Sequence, residues 1–199
     1  MKRYVIVFDL DGTIIYSVEY HSIAFKNAVK KLGYKNYNQL YKRFKKLVGM
    51  PIEEILKILI PGINKEEVKR IEKLKTEYFL KNLKQIKLNK RLIEIIKKVR
   101  VMGIKTAIFT STSKKLTKII LKKFKIYQYF DYLVCKEDVK KHKPNAEGLI
   151  KIMKKFNTKN IIYIGDSKFD KIAAKKAKIR YIDVRKVSIE KIYKTLGID

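Results

Sequence analysis

The sequence has a single cysteine, Cys135, and no long hydrophobic run. One cysteine cannot form a disulfide within the chain and is too isolated for a zinc site, so we expect a protein of the reducing cytoplasm. No segment approaches the roughly 18 to 20 consecutive apolar residues of a membrane-spanning helix, and the first apolar segment runs directly into acidic residues, unlike a signal peptide. These absences argue against a disulfide-stabilised scaffold and against membrane association.

Acidic residues are scarce: 49 lysines and arginines face 19 aspartates and glutamates, giving a formal net charge of +30. Such a charge attracts anions and promotes nonspecific binding of nucleic acids. The lysines are spread as pairs, such as Lys97 and Lys98, and the sequence has none of the known nucleic-acid-binding motifs. We therefore interpret the charge as a solvated lysine-rich surface, with nucleic acid only a nonspecific, charge-driven partner. Self-repulsion at this charge favours a monomer, or at most a dimer.

Short apolar runs alternate with amphipathic segments along most of the chain. Such runs, with polar or glycine boundaries and a helical pattern after each, are typical of buried parallel strands. They are Tyr4 to Leu10, Lys105 to Thr110, Asn160 to Gly165 and Arg180 to Val184, with Tyr132 to Cys135 as a weaker fifth. The intervening segments carry apolar residues at helical spacing. This alternation predicts an α/β fold, in which a Rossmann-like parallel sheet is flanked by helices.

One region, residues 16–83, breaks the alternation because it contains helical patterns and no convincing strand. Its last two helices are predicted at Ile52 to Ile60 and at Lys65 to Leu83. We interpret the region as a small α-helical domain inserted into the α/β core. The predicted domains are therefore a catalytic core of residues 1–15 and 84–199 and a helical cap of residues 16–83.

Two pairs of aspartates follow predicted strands. Asp9 and Asp11 end the first strand, and Asp166 and Asp170 follow a later one. Ligands of open α/β sheets bind beyond the carboxyl ends of the strands, so the four carboxylates converge if these two strands are neighbours. Crowded carboxylates repel one another unless a cation joins them. A hard divalent ion with oxygen ligands, above all Mg²⁺, meets that need and also holds a phosphate, so we expect Mg²⁺ as the cofactor.

Anion-binding groups stand at two further places. The run Thr110-Ser111-Thr112-Ser113 closes one predicted strand and opens a helix, where a hydroxyl and free backbone N–H groups can bind a phosphoryl oxygen. Lys143 precedes another predicted helix and offers a point charge. Each motif alone is also typical of a turn, a helix cap or a surface charge, so the interpretation depends on their joint occurrence.

Together and in this order, the motifs resemble those of the haloacid dehalogenase-like hydrolases, in the phosphatase branch that carries a helical cap. The motifs are Asp9-Leu10-Asp11-Gly12-Thr13, the hydroxyl at Thr110, Lys143-Pro144, and Gly165-Asp166-Ser167 with Asp170. The resemblance spans nearly the whole chain, including an insertion directly after the first motif. It implies a cap that closes over small phosphorylated metabolites and excludes water.

The resemblance also implies roles for individual residues. Asp9 would be the nucleophile that forms an aspartyl-phosphate, and Asp11 would protonate the leaving oxygen and later activate a water molecule. Mg²⁺ would be held by Asp9, the backbone carbonyl of Asp11 and Asp166. Asp170 would be a further ligand or an outer partner of the metal.

The phosphoryl group would be bound by Thr110, the Ser111 N–H and Lys143, as the resemblance implies. The run of four hydroxyl residues leaves a one-residue ambiguity between Thr110 and Ser111. The segment that contains His21 resembles both phosphoglycolate phosphatases and β-phosphoglucomutases. His21 is therefore a candidate substrate contact, although a histidine in this position also serves as a packing or capping residue.

Asp11 distinguishes among the chemistries of the superfamily. The dehalogenases of the superfamily lack an acid/base aspartate at the position of Asp11, because a halide leaves without a proton. The leaving oxygen of a phosphate ester needs a proton. We therefore predict a Mg²⁺-dependent phosphatase of small monoesters such as phosphoglycolate, sugar phosphates or nucleotides. A β-phosphoglucomutase-like phosphotransferase is the alternative, disfavoured because such mutases tend to have an acidic residue where Gly165 stands. Lys178 replaces a usual glycine and leaves the catalytic set intact.

A protein of another class is the second alternative, raised by the net charge of +30. It would be a nucleic-acid-associated binder or a polynucleotide end phosphatase on the same scaffold. The complete catalytic set argues against a noncatalytic binder, because a binder has no use for four converging carboxylates.

Overall fold

The computed structural model describes residues 4–197, which form two compact units. The core unit takes the chain up to Ile15 and from Leu88 onward, and the helical unit is Tyr16–Lys87. The chain leaves the core unit once and returns once, so the helical unit is an insertion. The second boundary lies four residues beyond the end of the predicted cap, residues 16–83.

The core unit is built on a parallel sheet that has five strands within the described residues. They are β1 (Val5–Phe8), β2 (Lys105–Phe109), β3 (Tyr132–Val134), β4 (Ile161–Gly165) and β5 (Arg180–Asp183), in the order β3-β2-β1-β4-β5. This topology confirms the predicted Rossmann-like α/β fold. Phe8 of β1 is level with Ile108 of β2 and Ile164 of β4, so the carboxyl ends of these strands lie side by side.

Helices account for most of the remaining chain. The helical unit contains α1 (Val18–Lys31), α2 (Tyr37–Lys45), α3 (Ile52–Leu59) and α4 (Lys65–Lys81), and the core unit contains α5 (Lys90–Val101), α6 (Lys114–Lys123), α7 (Glu147–Phe156), α8 (Lys168–Ala177) and α9 (Ile189–Leu196). Two short 3-10 helices, Tyr127–Tyr129 and Lys136–Asp138, flank β3. Among the helices described, none has the length and apolar character needed to cross a membrane.

The central strand β1 is buried along its whole length, as a continuous apolar run predicts for a parallel strand covered on both faces. The helices bury one apolar face each, and α7 comes so close to β2 that Gly148 touches the ring of Phe109. A Cβ atom on Gly148 would lie 2.2 Å from that ring, so only glycine fits there. Lys178 closes α8 in the left-handed conformation with φ 56°, which a glycine adopts with less strain.

The helical unit has its own apolar core. Phe25 of α1 and Phe44 of α2 stack with ring centroids 4.1 Å apart, and Leu40, Ile55 and Ile71 are buried around them. Helix α1 packs against both α2 and α4. This core makes the insertion a separate compact body rather than a long loop.

Asp131 joins three elements of the core unit. Its carboxylate accepts hydrogen bonds from Thr106 N–H (2.9 Å) at the start of β2 and from Lys105 Nζ (3.2 Å), and it pairs with Arg100 of α5. Burial acts to raise the pKa of Asp131, but the Thr106 N–H and the two cations outweigh it and lower the pKa below its ordinary value of 3.8. The stabilisation is therefore present above pH 3.8 and is lost as the pH falls through the folded-state pKa.

We expect Asp131→Asn to lower the free energy of unfolding at pH 7 by about 1 kcal/mol. The loss is small because solvent screens the partly exposed ion pairs of Asp131 with Arg100 and Lys105. The difference from the native protein should shrink as the pH falls below 3.8, since protonation removes the same charge. Urea unfolding at pH 7 and at pH 3 measures both quantities. An undiminished difference at pH 3 would show that the lost charge is not the cause.

Candidate active site

Three aspartates meet at the carboxyl edge of the sheet. Asp9 directly follows β1, Asp166 directly follows β4, and Asp170 lies in the first turn of α8. The Asp9 N–H donates to the Ile164 carbonyl over 2.9 Å, which continues the β1–β4 ladder and holds the two strand ends together. All three side chains are buried, and they offer carboxylate oxygens within 4.8 Å of one another. The adjacency of β1 and β4 therefore brings together residues about 160 positions apart in the sequence.

Lys143 places an ammonium group between two of these carboxylates. Its Nζ donates to Asp9 Oδ1 over 2.6 Å and to Asp170 Oδ1 over 2.8 Å, and its side chain is 1% exposed. The rings of Phe109 and Tyr163 have their centroids 4.7 Å and 5.5 Å from Nζ. Burial acts to lower the pKa of Lys143, but Asp170 and Asp9 raise it above its ordinary value. Lys143 is therefore a fixed, buried positive charge.

Asp170 is completely buried and accepts hydrogen bonds on both oxygens. Its Oδ1 receives Lys143 Nζ (2.8 Å) and the Tyr163 hydroxyl (2.5 Å), and its Oδ2 receives the Ser167 N–H (3.0 Å) and hydroxyl (2.5 Å). Burial acts to raise the pKa of Asp170, but Lys143 and the bonds from Ser167 and Tyr163 hold it below the ordinary value. A carboxylate has about four acceptor positions, and in Asp170 these four donors occupy them.

The turn after β1 brings the backbone against Asp166. Gly12 has φ 85°, and a Cβ atom there would lie 2.4 Å from Asp166 Oδ2. Both the conformation and the lack of space require glycine. Thr13 follows and donates its hydroxyl to Asp166 Oδ1 over 3.0 Å. Gly12 and Thr13, at the end of the motif that begins with Asp9, therefore orient the carboxylate of Asp166.

Asp11 and the hydroxyl run after β2 lie close together. Thr112 donates its hydroxyl to Asp11 Oδ2 over 2.6 Å, and its N–H donates to Thr110 Oγ1 over 3.1 Å. Thr110 is buried, Ser111 is partly exposed, and Ser113 caps α6 by accepting a hydrogen bond from the backbone. Each of these hydroxyls thus has a separate environment, which the sequence run could not distinguish.

The carboxylates are held at high electrostatic cost. Burial, together with the neighbouring carboxylates of Asp170, Asp166 and Asp11, raises the pKa of Asp9 well above its ordinary value despite Lys143. Burial and Asp170 raise the pKa of Asp166 to about 6. A bound cation would relieve this repulsion, and carboxylate oxygens are the donors that hard divalent ions prefer. The buried carboxylate cluster of Asp9, Asp166 and Asp170 therefore suits a site for a divalent metal ion, although the oxygens of Asp170 already accept four hydrogen bonds.

His21 lies in α1 of the helical unit. It is buried, its ring stacks on Phe79 with centroids 4.0 Å apart, and its Nδ1 lies 3.1 Å from Lys75 Nζ. Because an ammonium can only donate, Nδ1 is the acceptor and the ring proton of His21 is on Nε2. These contacts give His21 a packing role in α1.

Several residues of the site had no role assigned to them from the sequence. Thr13 and Thr112 hold the carboxylates described above, and Tyr163 donates to Asp170. The bonds between Ser167 and Asp170 form a capping box, which the spacing of a serine and an acidic residue three positions later could have indicated. Tyr163 left no comparable signal, because a tyrosine in a buried strand is usually a core residue.

Comparisons with known proteins agree with this geometry. The family model of the haloacid dehalogenase-like hydrolases matches residues 6–184. A protein of Caldanaerobacter subterraneus subsp. tengcongensis, provisionally named pyrophosphatase PpaX, is 32% identical, with coverage of 93% of this chain and 83% of its own. The phosphorylated carbohydrates phosphatase of Thermotoga maritima is 27% identical, with coverage of 89% and 82%. The crystal structure of a hydrolase from Pseudomonas syringae is similar with a TM-score of 0.82 at 24% identity, covering 91% of this chain and 83% of that one.

The matches cover both the motifs and the inserted helical unit, and the relatives named above are hydrolases or phosphatases. Together with the Asp9, Asp11, Lys143 and Asp166 constellation, they agree with the enzyme class that the sequence predicts. The chain belongs to the haloacid dehalogenase-like hydrolase family, in its phosphatase branch.

Proposed function

We propose that the protein is a Mg²⁺-dependent phosphatase that hydrolyses small phosphate monoesters through an aspartyl-phosphate on Asp9. The observation that carries the proposal is the buried contact of 2.6 Å between Asp9 and Lys143, beside the carboxylates of Asp166 and Asp170. A nucleophilic oxygen and a fixed positive charge at one strand end are what phosphoryl transfer requires, because its transition state needs charge stabilisation above all.

In the first step, Asp9 attacks phosphorus and the bond to the leaving oxygen breaks. Lys143 stabilises the charge on the phosphoryl oxygens, with Thr110 or the Ser111 N–H as further donors. Mg²⁺, held by Asp9, the Asp11 carbonyl and Asp166, would supply a divalent charge to the same oxygens. Within the chain itself, the buried position of Asp9 keeps bulk water away from the nucleophile.

Asp11 is proposed as the general acid and base. It would give a proton to the leaving oxygen, and afterwards take one from the water that attacks the aspartyl-phosphate. The hydrogen bond of 2.6 Å from the Thr112 hydroxyl to Oδ2 fixes the orientation of the Asp11 carboxyl group. Asp11 is also less buried than Asp9, which suits a group that must exchange protons with water.

Asp170 is proposed to hold Lys143 rather than to ligate the metal. Its four acceptor positions already receive donors from Lys143, Tyr163 and Ser167, so a metal ion would have to displace one of them. This supports the outer-partner role among the two that the family resemblance implies.

The substrate is proposed to be a small phosphorylated metabolite. The relatives are named for pyrophosphate and for phosphorylated carbohydrates, so both classes belong in a substrate panel with phosphoglycolate and nucleotides. The helical unit is proposed as the cap that carries substrate specificity, with His21 as a candidate contact. A cytoplasmic location and a monomeric or dimeric state stay predictions from the cysteine content and the charge.

The test is hydrolysis of p-nitrophenyl phosphate with Mg²⁺ and with EDTA, followed by the metabolite panel. We expect metal-dependent turnover that EDTA abolishes and Mg²⁺ restores. Turnover that persists in EDTA would contradict the metal requirement. Absence of turnover on every substrate, in a folded protein that binds Mg²⁺, would contradict the phosphatase assignment, and steep salt-dependent DNA binding would then favour the nucleic-acid alternative.

A further inference from the structure

Tyr163 lies at the centre of the buried network and has no part in the chemistry described above. It is fully buried in β4, and its hydroxyl donates to Asp170 Oδ1 over 2.5 Å. The same hydroxyl lies 3.3 Å from the Phe109 carbonyl, and its single proton goes to the closer, charged oxygen of Asp170. Tyr163 is therefore a hydrogen-bond donor to Asp170.

The hydroxyl of Tyr163 and the ammonium of Lys143 share one acceptor atom. Lys143 Nζ lies 2.8 Å from Asp170 Oδ1 and 2.6 Å from Asp9 Oδ1. The ammonium donates to both carboxylates at once, and its position depends on how strongly each one attracts it. A second donor on Asp170 Oδ1 offsets part of the negative charge that this oxygen presents to Lys143.

We propose that Tyr163 is a positioning residue that keeps Lys143 directed at Asp9 and therefore at the phosphoryl group. Without the hydroxyl, Asp170 attracts the ammonium more strongly and draws it away from Asp9. The consequence is weaker binding of phosphoryl oxygens, both in the substrate and in free phosphate. The inference rests on the proposed function in that Lys143 must bind the phosphoryl group.

A purely structural role of Tyr163 predicts a different result. The ring also packs near Phe109 and Tyr181, with centroids 6.0 Å and 6.1 Å away. If the residue served packing alone, a substitution would reduce the folded fraction. Fewer active molecules lower the apparent kcat and leave KM and the affinity for phosphate unchanged. Measurements of KM and of phosphate affinity therefore distinguish a positioning role of Tyr163 from a packing role.

The experiment compares Tyr163→Phe, which removes one oxygen and keeps the ring, with the control Tyr181→Phe. Tyr181 is the neighbouring tyrosine on β5, and its hydroxyl lies 3.4 Å from the Ser167 carbonyl. For Tyr163→Phe we expect KM for p-nitrophenyl phosphate and the Kd of orthophosphate, titrated calorimetrically with Mg²⁺, to rise about tenfold, as for a lost bond to a charged group. For Tyr181→Phe both constants should stay within about twofold of the native values.

A double variant tests whether the effect passes through Asp170. Once Asp170→Asn has removed the charge, adding Tyr163→Phe should change the Kd of orthophosphate less than about twofold. The inference is overturned if Tyr163→Phe keeps the native KM and Kd, if Tyr181→Phe weakens phosphate binding equally, or if the effects of the double variant add fully.

The two proposals fail separately. A native protein that binds orthophosphate without turnover contradicts the phosphatase assignment, and its titrations still decide the role of Tyr163. A native protein that neither hydrolyses any of the esters nor binds orthophosphate overturns both. Circular dichroism of each variant, and the titrations of Tyr163→Phe alone, keep the test decisive should the double variant fail to fold.

Discussion

Replacing Asp9 with asparagine is expected to lower kcat by about four orders of magnitude or more, with the fold retained. Asparagine has nearly the same shape as aspartate, but its amide cannot act as the nucleophile that forms the acyl-phosphate. Lys143 still has Asp170 as a partner at 2.8 Å, so its charge is not left unpaired. The measurement is turnover of p-nitrophenyl phosphate with Mg²⁺, together with circular dichroism and urea unfolding.

A second Asp→Asn change provides the control for this prediction. Asp131→Asn makes the same chemical change in the same unit, at the amino-terminal end of β2 and away from the carboxyl edge of the sheet. It should keep kcat within about twofold of the native value, because the residue contacts no part of the site. If Asp9→Asn retained more than about one per cent of native turnover, a nucleophilic role for Asp9 would be excluded.

Replacing Lys143 with methionine is expected to affect both activity and stability. Methionine keeps an unbranched apolar side chain at this buried position and removes the ammonium. Loss of one donor to a developing phosphoryl charge lowers kcat/KM by about 10²- to 10³-fold. Removing one partner of a buried ion pair also costs about 3 to 5 kcal/mol, because Asp9 and Asp170 are left facing each other without a cation.

The stability loss of Lys143→Met should depend on pH and be specific to this lysine. It should shrink in acid, where protonation of the carboxylates removes the unpaired charges. Lys151→Met is the control, since Lys151 is 44% exposed and its contacts, an ion pair with Glu147 at 3.8 Å and a hydrogen bond to the Asp138 carbonyl, lie at the surface. We expect this control to stay within about 1 kcal/mol of the native protein. Equal urea midpoints for the two variants at pH 7 would refute the buried-pair explanation.

The fold was largely predictable because its determinants are local in the sequence. The first run, Tyr4 to Leu10, is apolar throughout, which is typical of the central parallel strand that the structure has at Val5–Phe8. The strand is shorter than the run because the chain begins to turn at Leu10, whose carbonyl accepts hydrogen bonds from the Ile14 and Ile15 N–H groups instead of continuing the ladder. Helix α9 at Ile189–Leu196 is an element that the sequence patterns did not single out.

The candidate site was predictable in its membership and not in its contacts. The motifs and their order identified Asp9, Asp166, Asp170 and Lys143. The carboxyl ends of parallel strands lie at the same edge of a sheet. The sequence could not say that β1 and β4 are neighbours, and only that adjacency brings these groups together. Nor could it show that Lys143, Tyr163 and Ser167 all donate to the carboxylate of Asp170.

What the sequence by itself determined is the family, the α/β class and the residue types at the strand ends, since each depends on short patterns and their order. What the tertiary structure decided is which donor meets which acceptor. The Asp9–Lys143 contact joins residues 134 positions apart, and the Thr13–Asp166 bond spans 153. Such bonds depend on side-chain positions set by strand order and register, and a hydrogen bond forms only over a few tenths of an ångström in distance. The shared acceptor that links Tyr163 to Lys143 therefore became visible only in the folded chain.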